Sequence, residues 1–158
     1  MWYVLHVKPR MEKKVYEELR LLGVFCHLPL YRKVTKVQRR KVVRELPLFP
    51  GYVFTRLDPD ARREIMKTQR IVRTIEVAEP RKMIHELRQI AHAGLLPVDL
   101  KTLSTFEVGE RVHMTSGPFR GLDGYVRRHS SATSIILTLE ILGRAVEVSV
   151  SPLDMVRT

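Results

Sequence analysis

The sequence of 158 residues has one cysteine, Cys26, and no long apolar run. A single cysteine excludes an intramolecular disulfide and a multi-cysteine zinc or iron–sulfur site, and it suits a reducing compartment. No stretch approaches the roughly 20 consecutive apolar residues that span a bilayer, and the N-terminus lacks a basic segment followed by an apolar one. We therefore expect a cytoplasmic protein that has no membrane segment.

Patterns that carry catalysis or bind cofactors are also missing. The sequence has no Gly-rich phosphate loop, no H-E-x-x-H and no G-x-S-x-G. His85 and His92 lie two turns apart on one predicted helix, which is too far for joint chelation of a metal. Cys26 beside His27 is more typical of a structural thiol than of a thiol–imidazole pair, because neighbours on a strand point to opposite faces. We expect no catalytic residues, no metal site and no cofactor.

Acidic residues are scarce in the first part of the chain. Residues 1–95 hold 21 Lys and Arg against 10 Asp and Glu, whereas residues 96–158 hold 7 of each. Residues 31–44 contain seven basic and no acidic residues, and we interpret them as a basic hairpin or a mobile loop. A positive field attracts polyanions such as nucleic acids. Solvated charge kept for solubility, and charge that protects an edge strand from pairing, are the alternative explanations.

Hydrophobic periodicity divides the chain into two domains. The predicted elements of the first are strands at 2–7, after Pro50-Gly51 and at 71–77, and helices at 11–22, 59–67 and 80–92, the last with Ile84, Leu87 and Ala91 inward. This order predicts an α/β domain over residues 1–95, with helices covering one face of a mainly antiparallel sheet. Residues 96–105 are expected to be a linker. Short alternating strands with glycine-containing turns predict a small all-β barrel over 106–158.

Two motifs resemble the NusG/RfaH family of transcription elongation factors. The first combines residues 2–5 (WYVL) with residues 48–54 (LFPGYVF). The second, residues 112–126 (VHMTSGPFRGLDGYV), resembles the KOW motif that opens an SH3-like barrel. The resemblance covers essentially the whole chain and implies an NGN domain followed by a KOW domain, without enzymatic activity. KOW motifs also occur in ribosomal proteins, so a KOW-type RNA-binding protein stays as an alternative.

The resemblance implies a polymerase-binding surface on the NGN domain. In this family the domain docks on the clamp helices of the largest catalytic subunit of RNA polymerase, which assigns Trp2, Phe49, Pro50 and Tyr52 to that contact. Bulky aromatic residues on a rigid turn suit the centre of an interface, since they lose little entropy on binding. The alternative is that Trp2, Phe49 and Tyr52 are core residues.

The resemblance also implies contact with nucleic acid beside the docking site. Lys8, Lys14 and Arg70 match basic positions that contact the non-template DNA strand in RfaH-like members, and Arg10 and Lys13 are added for their charge and proximity. Upstream DNA or the non-template strand is the expected ligand, with nascent RNA as a second candidate.

For the KOW domain, the resemblance implies partner binding by Phe119, Ile141 and Leu142. The family binds the ribosomal protein NusE or the terminator Rho at this position, where housekeeping members carry an aromatic residue in place of Leu142. We predict a monomeric elongation and antitermination factor, more similar to operon-specific paralogues than to the housekeeping NusG that acts with Rho and the ribosome. The β-branched residues of 135–141 and 145–150 predict a permanent β barrel.

Overall fold

The computed structural model describes residues 1–95, 100–103 and 109–158 of the chain. Their contacts divide into two units, Met1–Ala78 and Glu79–Thr158. The elements of the first unit are β1 (Trp2–Val7), α1 (Glu12–Leu21), β2 (Cys26–His27), β3 (Leu30–Val37), β4 (Arg40–Pro47), β5 (Tyr52–Arg56), α2 (Pro59–Lys67) and β6 (Ile71–Glu76).

The core of the first unit lies between its helices and a four-stranded antiparallel sheet of order β2-β5-β1-β6. Alternate residues of β1 point to one face, and these are Tyr3, Leu5 and Val7, which join the core. Val15 of α1 and Ile65 of α2 pack into the same core, as the periodicity of these helices requires. The predicted α/β fold with a mainly antiparallel sheet is confirmed.

Local signals explain the limits of α2. The side chain of Asp58 accepts a hydrogen bond of 2.8 Å from the backbone N–H of Ala61, which caps the helix, and Pro59 occupies the first helical position. Proline is favoured there because its missing N–H would have no helical partner. The predicted bounds of this helix are confirmed.

In its described residues, the second unit consists of one α-helix and an antiparallel sheet. Its elements are α3 (Pro80–Gly94), β7 (Lys101–Leu103), β8 (Arg111–Met114), β9 (Asp123–Arg128), β10 (Thr133–Leu139), β11 (Arg144–Val150) and β12 (Met155–Arg157), with short 3-10 turns at Glu140–Leu142 and Pro152–Asp154. The strand order is β12-β8-β9-β10-β11-β7. From β8 onward the described residues form antiparallel strands and short turns, as the all-β fold predicted for the C-terminal domain requires.

The inner face predicted for α3 is correct at Leu87 and wrong at Ala91. Ala91 is exposed and Ile84 is only half-buried, whereas the buried residues are Met83, Glu86, Leu87, Ile90 and Ala93. Glu86 belongs to the buried stripe because its carboxylate accepts hydrogen bonds from the Thr138 hydroxyl at 3.0 Å and from the backbone N–H of Glu140 at 3.1 Å. Because Glu86 is charged, the sequence pattern assigned it to the outer face, and the predicted apolar face of the helix was displaced accordingly.

Two observations bear on the domain limits. By its contacts, α3 groups with the second unit, although the sequence analysis places residues 1–95 in one domain. The expected linker at 96–105 contains the strand β7, which pairs with β11. The limits at residues 95 and 105 stay predictions.

Candidate functional site

The turn between β4 and β5 is anchored by backbone and side-chain hydrogen bonds. The N–H of Gly51 donates to the Glu12 carboxylate at 2.9 Å, and the N–H of Val7 donates to the carbonyl of Gly51 at 2.8 Å. Gly51 has φ +89°, which glycine adopts without strain. Glu12 is the first residue of α1 and is 7% exposed, a position where the helix dipole favours a negative charge. The helix α1, through Glu12, and the strand β1, through Val7, therefore hold this turn in one geometry.

Two of the aromatic residues assigned to docking lie on one face of the sheet. Tyr52 is half-buried and stacks on His6, its register partner on β1, with ring centroids 5.1 Å apart. Trp2 lies on the same face of β1, four residues away, or roughly 13 Å along the strand. Its ring meets Phe25 edge to face at 5.3 Å. Aromatic groups are thus present at both ends of this face.

Phe49 requires a correction. The sequence analysis expects its ring at the surface, but Phe49 is 3% exposed. Pro50 is exposed and precedes the anchored glycine, so the turn presents Pro50 outward while Phe49 supports it from within. Binding of polymerase by these residues stays a prediction.

The predicted nucleic-acid residues begin at the end of β1. Lys8, Arg10 and Lys14 are exposed, and the ion pairs found in the described parts of the chain involve none of the three. The N–H of Lys8 donates to the carbonyl of Arg70 at 2.9 Å, which brings the two segments together. The predicted cluster therefore forms around this junction.

Two of the five predicted cations are engaged within the unit. The guanidinium of Arg70 lies 2.6 Å from the Glu18 carboxylate, and both side chains are largely covered. The ammonium group of Lys13 donates to the backbone carbonyl of Glu45 at 2.6 Å. The charge of Arg70 is thus compensated by a carboxylate. The partner of Lys13 is a neutral carbonyl of β4, which leaves the positive charge of Lys13 uncompensated by this contact.

The basic segment 31–44 forms a hairpin, as one of its two interpretations predicted. β3 and β4 form a separate two-stranded sheet, and Gln38 and Arg39 at the turn have φ values of +49° and +66°. The register places Lys36 opposite Lys41, and Lys33 opposite Arg44. Like charges at directly opposite positions destabilise a strand pair. All four of these side chains are exposed, so a bound polyanion would relieve the repulsion.

A groove of about 730 Å³ connects the anchored turn with the cationic residues. Its walls are mostly apolar, with two cations at the rim, and they are formed by His6, Val7, Pro9, Arg10, Glu12, Lys13, Leu46, Pro47, Pro50, Gly51 and Val72. Val72 is 57% exposed, which leaves an apolar surface in contact with solvent. The groove thus combines the features of a protein-binding surface with those of a polyanion-binding one.

The residues predicted to bind a partner in the second unit differ in exposure. Ile141 and Leu142 are half-buried on the Glu140–Leu142 turn, which ends at Gly143 with φ +60°. Phe119, in contrast, is 4% exposed and corrects the expectation of a surface contact. Its loop is held by the Ser116 hydroxyl, which donates to the Asp154 carboxylate at 2.7 Å. The available apolar surface is therefore at Ile141 and Leu142.

Cys26 and His27 lack the electrostatics of an activated thiol. Burial raises the pKa of the Cys26 thiol, with Arg20 opposing that shift, and burial lowers the pKa of His27. A thiolate–imidazolium pair requires the opposite shifts, because each charged form stabilises the other. In addition, no three metal-binding side chains cluster within residues 1–95, 100–103 and 109–158.

Comparison with known proteins identifies the family. A family model described as "Transcription termination factor nusG" matches residues 1–91, more than half of the chain. The chain belongs to the NusG family of transcription factors. Like the family, it is not an enzyme, and its role is of the termination and antitermination type.

Similar proteins match nearly the full length of the chain. The transcription termination/antitermination protein NusG of Borreliella burgdorferi is 27% identical over an alignment of 172 positions, gaps included, which covers 94% of each sequence. Similar solved structures are "Domain interaction in Thermotoga maritima NusG", with 22% identity, a TM-score of 0.48 and coverage of 99% and 96% of the two chains, and the MjSpt4:Spt5 complex in conformation B, with 18% identity, a TM-score of 0.32 and coverage of 100% and 97%.

In the described parts of this NusG-family chain, the helices are all too short or too polar to cross a membrane.

The candidate docking site also contains three residues that sequence reasoning did not select. His6 shares the face of Trp2 by strand alternation, and that pattern would have identified it. Glu12 and Phe25 gave no comparable signal, since their contacts with Gly51 and Trp2 join segments far apart in the sequence.

Proposed function

We propose that this NusG-family chain is an elongation and antitermination factor that docks on RNA polymerase with Pro50, Tyr52 and His6, and with Trp2 at the far end of the same sheet face. The clamp helices of the largest catalytic subunit are the proposed docking site, as the family resemblance implies. The observation that carries the proposal is the anchored turn at Gly51, held through Glu12 and Val7.

The geometry of the turn favours tight binding for a physical reason. Association costs the conformational freedom of every side chain and loop that becomes ordered. Here the loop is already ordered by two hydrogen bonds, and the Tyr52 ring is held by its stack on His6. Aromatic residues of this kind contribute disproportionately to interface energies. The buried Phe49 contributes by supporting the turn.

The exposed cations beside the turn support a role in nucleic-acid binding. We propose that Lys8, Arg10 and Lys14 contact the non-template strand or upstream DNA, assisted by Lys13 and, when it is released from Glu18, by Arg70. The hairpin of β3 and β4 extends the cationic surface, since its opposed lysines gain from a polyanionic partner. Each phosphate contact would release counterions, so affinity should fall steeply with salt.

Docking is tested by replacing Tyr52 with alanine. We expect about 30-fold weaker binding to core RNA polymerase, because a central aromatic anchor contributes about 2 kcal/mol. Leu21→Ala is the matched control, since Leu21 is 87% exposed on α1 and away from the turn. The fluorescence of Trp2, the single tryptophan, verifies that both variants are folded. Equal affinity of the two variants would refute the docking surface.

Nucleic-acid contact is tested by charge reversal at Lys8 and Lys14. If both contact phosphates, the slope of log affinity for DNA against log salt should lose about two units of magnitude. Lys67→Glu is the control, because Lys67 is already paired with Glu64 on α2. A slope that stays the same in the double variant would count against the cationic surface.

We further propose that the chain serves a small set of operons and recruits a partner, NusE or Rho, at Ile141 and Leu142. The specialised role is supported by the charge concentrated in residues 1–95, and the partner site by the half-buried apolar side chains of Ile141 and Leu142. Mapping of the genes bound in cells should give few loci. Uniform occupancy of transcribed genes would favour the housekeeping role instead.

A further inference from the structure

The outermost strand of the second unit's sheet comes from the segment that follows α3. β7 pairs with β11, with Lys101 opposite Glu147, Thr102 opposite Val146 and Leu103 opposite Ala145. Without β7, β11 would be an edge strand, and the unpaired groups of an edge strand are a template for pairing with another chain. β7 thus occupies the position that a partner's strand would take.

β7 is a short strand of three residues. It pairs with β11 at three positions, whereas β10 pairs with β11 at seven. In β7, Leu103 is buried at 8% exposure, while Lys101 and Thr102 are exposed. Displacement of β7 would therefore break a ladder less than half as long as the ladder between β10 and β11.

The seat beneath β7 has a defined chemistry. Leu103 packs in an apolar site formed by Ile136, Ala145 and Tyr125. Two residues earlier on the same face of β7, Lys101 lies opposite Glu147 in the register. The Glu147 carboxylate is largely buried and also has Ser134 and His129 as hydrogen-bond partners, so the charge of Lys101 adds to those contacts through its position on the neighbouring strand. The seat consequently fits an aliphatic side chain preceded, two residues earlier, by a cation.

We propose that β7 is a displaceable cover and that the uncovered edge of β11 binds an extended strand of a partner protein with the pattern cation-x-aliphatic. Strands bind to sheet edges through main-chain hydrogen bonds, while side-chain sites provide the specificity. The edge is continuous with the proposed partner residues Ile141 and Leu142, because β11 begins at Arg144. The inference rests on the proposed recruiting role of this unit and adds its regulation: while β7 is seated, the edge is closed.

Amide hydrogen exchange of the full chain tests the displaceable cover. Leu103→Asp removes the buried anchor of β7 and should speed exchange of the β11 amides that face β7 by about tenfold to a hundredfold. The β11 amides that face β10 should be unchanged and serve as an internal standard. Leu153→Asp is the matched control, since Leu153 is 91% exposed. Faster exchange on both sides of β11, or on neither, would overturn the proposal.

Binding of a strand in trans tests the open edge directly. The probe is a fluorescein-labelled peptide with the sequence of residues 98–105 (VDLKTLST). It should bind the Leu103→Asp chain at least about tenfold more tightly than the unmodified chain, in which tethered β7 competes at an effective concentration on the order of millimolar. A peptide with glutamate in place of Lys101 should bind about twofold to fivefold less tightly, since it places like charges opposite each other.

A second variant keeps the test valid if Leu103→Asp impairs folding. Lys101→Glu changes an exposed side chain and should loosen β7 by about twofold to fivefold, again through repulsion from Glu147. Equal peptide binding by all chains, or binding by none, would overturn the proposal. Polymerase is absent from these experiments, so their failure is distinguishable from failure of the docking proposal.

Discussion

The carboxylate of Glu12 offers the sharpest test of how the docking turn is held. Glu12→Ala removes the acceptor of the Gly51 N–H, which lies 2.9 Å from the carboxylate. An unsatisfied, partly buried donor costs about 1 to 2 kcal/mol, and loss of an acidic residue from the first turn of a helix adds about 0.3 to 1 kcal/mol. We expect the free energy of unfolding of the first unit to fall by about 2 kcal/mol.

Urea unfolding followed by tryptophan fluorescence measures this change, because Trp2 reports on the first unit. Glu12→Gln keeps a carbonyl oxygen as acceptor and should lose less than half as much stability as Glu12→Ala. Glu17→Ala, an exposed acid on the same helix, serves as the control. If Glu12→Ala is as stable as Glu17→Ala, Glu12 does not anchor the turn.

Three further predictions follow from the same contacts. Gly51→Ala should lower the unfolding free energy of the first unit by about 1 to 2 kcal/mol in urea, because φ +89° strains any residue with a Cβ; an unchanged midpoint would contradict this. Glu18→Gln should free Arg70 and steepen the salt dependence of DNA binding by about one unit, whereas an unaltered slope would exclude Arg70 from the contact. Burial raises the pKa of Glu147, but hydrogen bonds, foremost that from Ser134, outweigh it and leave the pKa below its ordinary value. The stability contributed by Glu147 is therefore present above the unfolded pKa and lost as pH falls through the folded one, so the melting temperatures of the unmodified and Glu147→Gln chains should converge in acid; a constant difference would contradict this.

Elements defined by local signals were predictable from the sequence. The helix at Pro59–Lys67 follows from a capping aspartate and a proline at its start, and β1 from a run of apolar and aromatic residues that stops before Pro9. The hairpin at 31–44 was one of two interpretations, since its charges suit either a hairpin or a loop. Its turn became evident only from the positive φ values of Gln38 and Arg39.

Features that depend on distant contacts were not predictable. Glu86 is buried because Thr138 and the N–H of Glu140 donate to it, and those partners lie more than fifty residues away. The strand β7 forms inside an expected linker because β11 offers an edge, and a three-residue strand carries no periodicity of its own.

The aromatic residues show the same limit. Phe49 and Tyr52 lie in one motif, yet Phe49 is sealed and Tyr52 is half-buried. The sequence left a surface and a core position open for both residues, and the structure places Phe49 in the core and Tyr52 at its edge. The proposed docking surface therefore loses Phe49, which is buried, and includes His6, which stacks on Tyr52.

Site-specific photo-cross-linking tests the docking surface most directly. A benzophenone side chain replaces Tyr52 in the full chain, or Leu21 as the control, and the cross-linked peptides of RNA polymerase are mapped. The docking surface proposed for Pro50, Tyr52 and His6 predicts cross-links from position 52 to the clamp helices of the largest subunit, and none from position 21. Cross-links from position 21 to the clamp helices, or from position 52 to another part of the enzyme, would contradict it.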